Sequence, residues 1–356
     1  MKNSVVCLNM LILVFLFGCS SDSTPITPET EQMEENQDDD ENMVDVEQEN
    51  EEEEEIEEND SPSEPLLTSM RTYIFGHSLI VHDPPAIATP SNETTIPHWM
   101  HLLAEAANFD YAVSGQYGFL PQHDNLPPIS QWGFDLVTSA WESDTESFAE
   151  ANFNTILLTA GNFIQYQPAG MPYEGDNPDN TTPVGATVEI FDWVETQEPG
   201  TTLYIYENWP DMAGFISSFP PSEQEFAEFN DYTTGDFHDW WLDYNDMVRT
   251  QRPDLNVKMI PVGPILARLL TDTNLSSIPI TELYEDDAPH GRASLYFLAG
   301  MVTYMAMYGV ETPETYEVPD IVHETIRMNY SETVAFIWQQ LENFNDDAGN
   351  SLVWPN

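Results

Sequence analysis

From about residue 70 onward, short apolar runs that stop at glycine or asparagine alternate with stretches whose apolar positions recur every three or four residues. Runs 72–75, 111–114, 155–159, 203–206 and 257–261 have the length and the β-branched or aromatic content of buried strands. Between them, 97–107, 131–141, 184–195 and 222–251 read as helices; 262–270 and 293–308 add two more, and 332–344 is a last helical stretch in the tail. Strands alternating with helices predict an α/β fold. The expected architecture is a three-layer α/β/α sandwich, flavodoxin-like, around a five-stranded parallel sheet. No internal repeat is visible.

In such sheets ligands bind in the crevice beyond the carboxyl ends of the strands. Gly76-His77-Ser78, Gly115, Asn162 and Asn208-Trp209 all fall at or just past expected strand ends, so chemistry is expected there. Long Pro-, Gly- and aromatic-containing connections at 81–96, 165–183 and 208–219 are expected to frame that crevice.

The N-terminus changes the picture of where the domain sits. Lys2 precedes an apolar run from Val5 to Phe17, too short for a membrane span and of the length of a secretory signal. Leu16-Phe-Gly-Cys19 resembles a bacterial lipobox, so residues 1–18 are expected to be removed and Cys19 acylated, anchoring the chain to the outer membrane at the bacterial cell envelope. Residues 19–67, with an unbroken Glu51–Glu55 run, cannot bury enough apolar surface to offset their ordering and are expected to form an acidic tether. The folded domain would then span 68–356, with 310–356 as a C-terminal helical extension. Cys7 and Cys19 are the chain's 2 cysteines, which leaves none for a disulfide or a cysteine metal site in the mature domain.

Net charge is −55, with 8 Lys+Arg against 63 Asp+Glu, of which about twenty lie in the tether. A folded part that is itself acidic argues against nucleic acid and anionic lipid as partners, because no large basic patch is expected to form. No carboxylate-rich spacing completes a metal site around any histidine pair, and no cofactor is implied.

Two stretches carry chemistry. Tyr73-Ile-Phe-Gly-His-Ser78-Leu79 is an apolar strand breaking at a glycine into a serine, and Asp287-Ala-Pro-His290 places a carboxylate and an imidazole three residues apart before a long apolar helix. A serine hydroxyl needs a base within hydrogen-bond reach, and the base needs an orienting partner. Ser78, His290 and Asp287 can supply those roles; Asp286 is the adjacent alternative, and the Asp-x-x-His spacing selects Asp287.

A strand ending Gly-x-Ser-Leu, a second strand ending at Ser114-Gly115, a third ending at Gly161-Asn162 and a closing Asp-x-x-His occur in that order over residues 70–310. Together they resemble the SGNH (GDSL-type) serine hydrolase superfamily. The resemblance implies catalysis by Ser78, Asp287 and His290, with an oxyanion hole made by the backbone N–H groups of Ser78 and Gly115 and the Asn162 side chain. The chain departs from the family pattern at His77 and Phe163, where aspartates are usual, and at Ala160, where glycine is frequent. It therefore reads as a divergent branch.

Secretion, a spacer and an aromatic-rich crevice point to removal of acyl groups, chiefly acetyl, from polysaccharide or oligosaccharide through an acyl-serine intermediate. His77, Asn208 and Trp209 are the expected substrate-binding residues, with Trp209 stacking on a sugar ring. Two alternatives share the fold: a lipase, arylesterase or thioesterase acting on small or lipid esters, and a non-catalytic glycan-binding lipoprotein.

Overall fold

The structure, a computed structural model, describes residues 64–355 apart from 162–166, 174–176 and 178. The expected signal segment, the acylation candidate Cys19, the Glu51–Glu55 run and the oxyanion candidate Asn162 lie outside the described residues.

Among the described residues one sheet has six parallel strands: β1 Ser69–Gly76, β2 Asp110–Tyr117, β3 Thr138–Ser139, β4 Thr155–Leu158, β5 Thr202–Glu207 and β6 Val257–Pro261. The order is β3-β2-β1-β4-β5-β6. The chain leaves β1 for β2 on one side and reaches β4 on the other, so the strand order reverses beside β1. A doubly wound sheet opens a crevice at such a reversal.

The helices are α1 Ile96–Ala106, α2 Leu120–His123, α3 Pro183–Gln197, α4 Glu223–Thr234, α5 Asp236–Gln251, α6 Val262–Asp272, α7 Ile280–Leu283, α8 Ala293–Tyr308, α9 Glu324–Met328 and α10 Tyr330–Glu342. They divide between the two faces because strand side chains alternate. Ile74, Tyr204, Tyr206 and Ile260 enter one core with α1, α6, α8 and α10, while Tyr73, Phe75, Leu203, Ile205 and Met259 enter the other with α3 and α5. Each such side chain contributes about 1.5–3 kcal/mol on burial. All residues of α8 are buried, and a Cβ added at Gly300 would lie 2.6 Å from the Trp99 Cβ, which shows how closely α8 and α1 approach.

Three expectations are corrected. The sheet has a sixth strand, because Thr138 and Ser139 pair with Ala112 and Val113 at its edge. Residues 131–141 are not helical: the N–H groups of Gln131 and Trp132 both donate to the Gly115 carbonyl (2.9 and 3.1 Å), and Trp132 covers Gly76 and Gly115. The stretch 222–251 is two helices broken at Gly235, whose backbone leaves the helical region (φ −109°, ψ −114°) and where a Cβ would meet the Asp231 carbonyl at 2.9 Å.

Glu207 ends β5 wholly buried, and its carboxylate accepts from His238 Nδ1 at 2.9 and 3.0 Å. Burial pushes Glu207 up to about 7 against the pull of His238. Burial would lower His238, but Glu207 outweighs it and the imidazole is raised. Both groups hold their proton more tightly folded than unfolded. The stability this confers is complete below the unfolded values and is lost as pH rises through the folded ones. The pair's own contribution to stability should therefore fall between about pH 5 and pH 8, and Glu207→Gln, by removing it, should change the slope of melting temperature against pH over that range. An unchanged slope in a calorimetric pH series would refute the assignment.

Candidate active site

Ser78 follows β1 on a tight turn closed by two N–H donors to the His77 carbonyl, from Ile80 (2.9 Å) and Val81 (3.1 Å). The turn leaves Ser78 half-buried at the carboxyl end of the sheet, and the buried Tyr296 hydroxyl fixes it by donating to the Ser78 carbonyl at 2.5 Å. The partner arrives from 212 residues away: Ser78 Oγ and His290 Nε2 are 2.9 Å apart.

His290 sits on a loop whose ends are tied by the Tyr284–Gly291 bridge, by Glu285 N–H donating to the His290 carbonyl (2.8 Å) and by Arg292 N–H donating to the Leu283 carbonyl (2.7 Å). Its Nδ1 bonds Asp286 Oδ2 at 2.7 Å. The carboxylate on the ring is thus Asp286 and not the expected Asp287. The turn decides between them: Asp286 Oδ1 accepts from the N–H groups of Ala288 (3.1 Å) and His290 (3.0 Å), which aims Oδ2 at the ring. Asp287 is exposed, and its carbonyl accepts from Met212 N–H at 3.1 Å. Partial burial pushes the Asp286 carboxyl up, but the hydrogen bonds from His290 and Ala288 prevail and hold it below the usual carboxylate range. It remains an anion at neutral pH.

A second imidazole completes this corner. His82 stacks face to face on His290, with ring centroids 4.1 Å apart and planes within 9°. Its Nε2 lies 3.2 Å from Glu285 Oε1, which also accepts from Ala86 N–H at 2.7 Å.

The remaining sequence candidates fall elsewhere. Gly115 lies inside β2 opposite Ile74, not at a turn. β1 ends at Gly76, which is in register with Tyr117, two residues past Gly115, and Ser78 lies on the turn beyond it, so Gly115 stands back from the strand end where it was expected. Glycine is required there by packing, since a Cβ would come within 2.6 Å of the Ile74 carbonyl and 2.7 Å of Trp132. Past β4 the chain turns at Gly161, whose φ of 116° favours glycine, and Asn162 follows outside the described residues.

His77, Asn208 and Trp209 are all buried, with 1% or less of their surface exposed, which does not fit the substrate contact expected of them. They build the floor of the site. Trp209 Nε1 donates to the Pro289 carbonyl at 2.9 Å, bracing the base loop. The Asn208 amide donates to the Trp209 carbonyl (2.7 Å) and its oxygen accepts from Thr159 Oγ1 (2.8 Å), linking β5 to β4. His77 lies beneath the nucleophile turn, its Nδ1 accepting from Leu79 N–H at 3.3 Å. Burial, reinforced by the nearby His123 and His290 imidazoles and opposed by the Asn208 side chain, lowers it to about 3. Where the family pattern has a carboxylate, this chain thus has a neutral ring.

Among the described residues, the exposed aromatic at this end of the sheet is Tyr117, 47% exposed at the last position of β2 and in register with Gly76. Its ring meets Phe119 edge-on at 6.2 Å, and Phe119 lies 5.3 Å from the His77 ring. A cavity of about 600 Å³ beside this loop is walled by Glu285, Arg292 and Arg327, and neither Ser78 nor His290 lines it.

No protein-family model and no curated protein matches the chain. Solved structures similar to it in fold include a DUF4886 family protein from Bacteroides uniformis (11% identity, 76% of this chain and 94% of that one, TM-score 0.46). A family 3 carbohydrate esterase from Clostridium thermocellum is 11% identical over 66% of this chain and 94% of that one, with a TM-score of 0.36. An acetyl-xylooligosaccharide esterase from Geobacillus is 9% identical over 69% of this chain and 97% of that one, with a TM-score of 0.38.

Proposed function

We propose that this protein is a serine esterase that removes short acyl groups, acetyl above all, from a carbohydrate. The continuous path from Ser78 Oγ to His290 Nε2 (2.9 Å) and from His290 Nδ1 to Asp286 Oδ2 (2.7 Å) carries the reading, because it is the arrangement that turns a serine hydroxyl into a nucleophile. Ser78 Oγ attacks the ester carbonyl while His290 Nε2 takes its proton. Asp286 holds the ring tautomer and offsets the charge on the imidazolium. His290 then returns the proton to the leaving alcohol oxygen, which leaves an acyl-serine and a free hydroxyl. Water, deprotonated by the same nitrogen, attacks the acyl carbonyl; the bond to Ser78 Oγ breaks, His290 returns the proton to that oxygen, and the carboxylic acid leaves. The Ser78 N–H and the Asn162 amide are the donors proposed for the oxyanion. Labelling of the purified domain by a fluorophosphonate, lost in Ser78→Ala, tests the assignment.

The carbohydrate part of the reading rests on Tyr117, whose exposed ring at the end of the strand beside β1 is placed to stack on a sugar. Tyr117→Ala should lower kcat/KM on an acetylated oligosaccharide by about tenfold while changing hydrolysis of a small aryl acetate by less than about twofold. Equal losses on the two substrates would remove the ring from substrate recognition.

A further inference from the structure

We infer that His82 is a positioning residue for the base: its ring, clamped by Glu285, forms the wall against which the His290 imidazole is held in line with Ser78. This rests on the esterase reading of the Ser78 site. A histidine base has one bond to its orienter and one to its nucleophile, both in the plane of the ring. Those bonds fix rotation in the plane but resist tilting out of it weakly, and a second plane stacked at 4.1 Å and within 9° supplies that missing restraint.

The wall is itself held on several sides. The His82 backbone N–H donates to the Thr94 carbonyl (3.1 Å), and Thr94 Oγ1 donates to the His82 carbonyl (2.6 Å). Glu285 Oε1 lies 3.2 Å from His82 Nε2, and its own N–H donates to the His290 carbonyl (2.8 Å). Glu285 and Asp286 are consecutive. One turn of chain therefore presents two carboxylates to two parallel imidazoles, one to the base and one to the ring stacked on it.

The ring's shape, not its charge, is what the inference assigns, so the variants are chosen to separate the two. His82→Ala should reduce kcat about tenfold with KM nearly unchanged, and slow fluorophosphonate labelling of Ser78 by a similar factor. His82→Phe, which keeps a flat ring and loses the bond to Glu285, should recover most of both rates. The downfield proton resonance of His290 Nδ1–H should be sharp in the wild type and the Phe variant and broadened in the Ala variant. Melting temperatures of both variants guard against a general loss of fold.

A loss confined to KM would make His82 a substrate contact and overturn the inference. So would a Phe variant as slow as the Ala variant, or an Ala variant within twofold of wild type. If the wild type hydrolysed no ester and bound no phosphonate, the esterase reading would fail by itself. The His290 resonance would still report whether His82 holds the ring.

Discussion

Ser78→Ala is expected to lower ester hydrolysis by roughly 10⁴-fold or more while leaving the melting temperature within a few degrees, since its half-buried side chain fills no core space. His290→Ala should be equally damaging. Without the base the hydroxyl keeps its proton, and without the hydroxyl the base has nothing to activate, so the double variant should be hardly slower than either single one. Additive losses would mean that the 2.9 Å contact between Oγ and Nε2 is not the reacting pair. Phosphonate labelling that survived Ser78→Ala would place the nucleophile elsewhere.

The next largest effect separates two adjacent carboxylates. Asp286→Asn should cost about 10³-fold in kcat, because an amide nitrogen facing Nδ1 favours the tautomer whose Nε2 carries the hydrogen, and that nitrogen can no longer accept the serine proton. Asp287→Asn should remain within about twofold of wild type, since this exposed residue meets the base loop's surroundings through its backbone. The reverse ranking would restore the Asp-x-x-His reading of the sequence and show that the turn rearranges when substrate binds. Both variants retain similar polarity and size, so the comparison isolates the bond to His290.

The two neighbours also show what the sequence could and could not convey. The ordered motifs pointed to the loop that meets Ser78, because Ser78 and His290 are fixed by a strand end and a helix start, which apolar periodicity marks well. They could not choose between Asp286 and Asp287, because that choice depends on which side chain satisfies the N–H groups of Ala288 and His290. Five strands were legible as apolar runs; Thr138–Ser139 was not, having two exposed polar residues and only backbone pairing to define it. Gly115 and Trp209 misled for a related reason. A glycine and a tryptophan near strand ends mark close packing as readily as substrate contact, and the register opposite Ile74 and the bond to Pro289 reveal the packing role. The stacked His82 had no signal at all, since nothing in the chain links it to a residue two hundred positions away.

The closed loop from Tyr284 to Gly291 carries the base and its orienter as one piece, whereas the nucleophile belongs to the sheet. Any displacement of that loop as a unit leaves the imidazole–carboxylate pair whole and strains only its outer ties: the bond to Ser78, the stack on His82 and the bonds from Trp209 and Met212. Of these ties, the bond to Ser78 is the one that the proposed chemistry runs through. Whatever pushes on the loop, whether an arriving polymer or a bound neighbour, need move it by only about an ångström to switch hydrolysis off without dismantling the machinery.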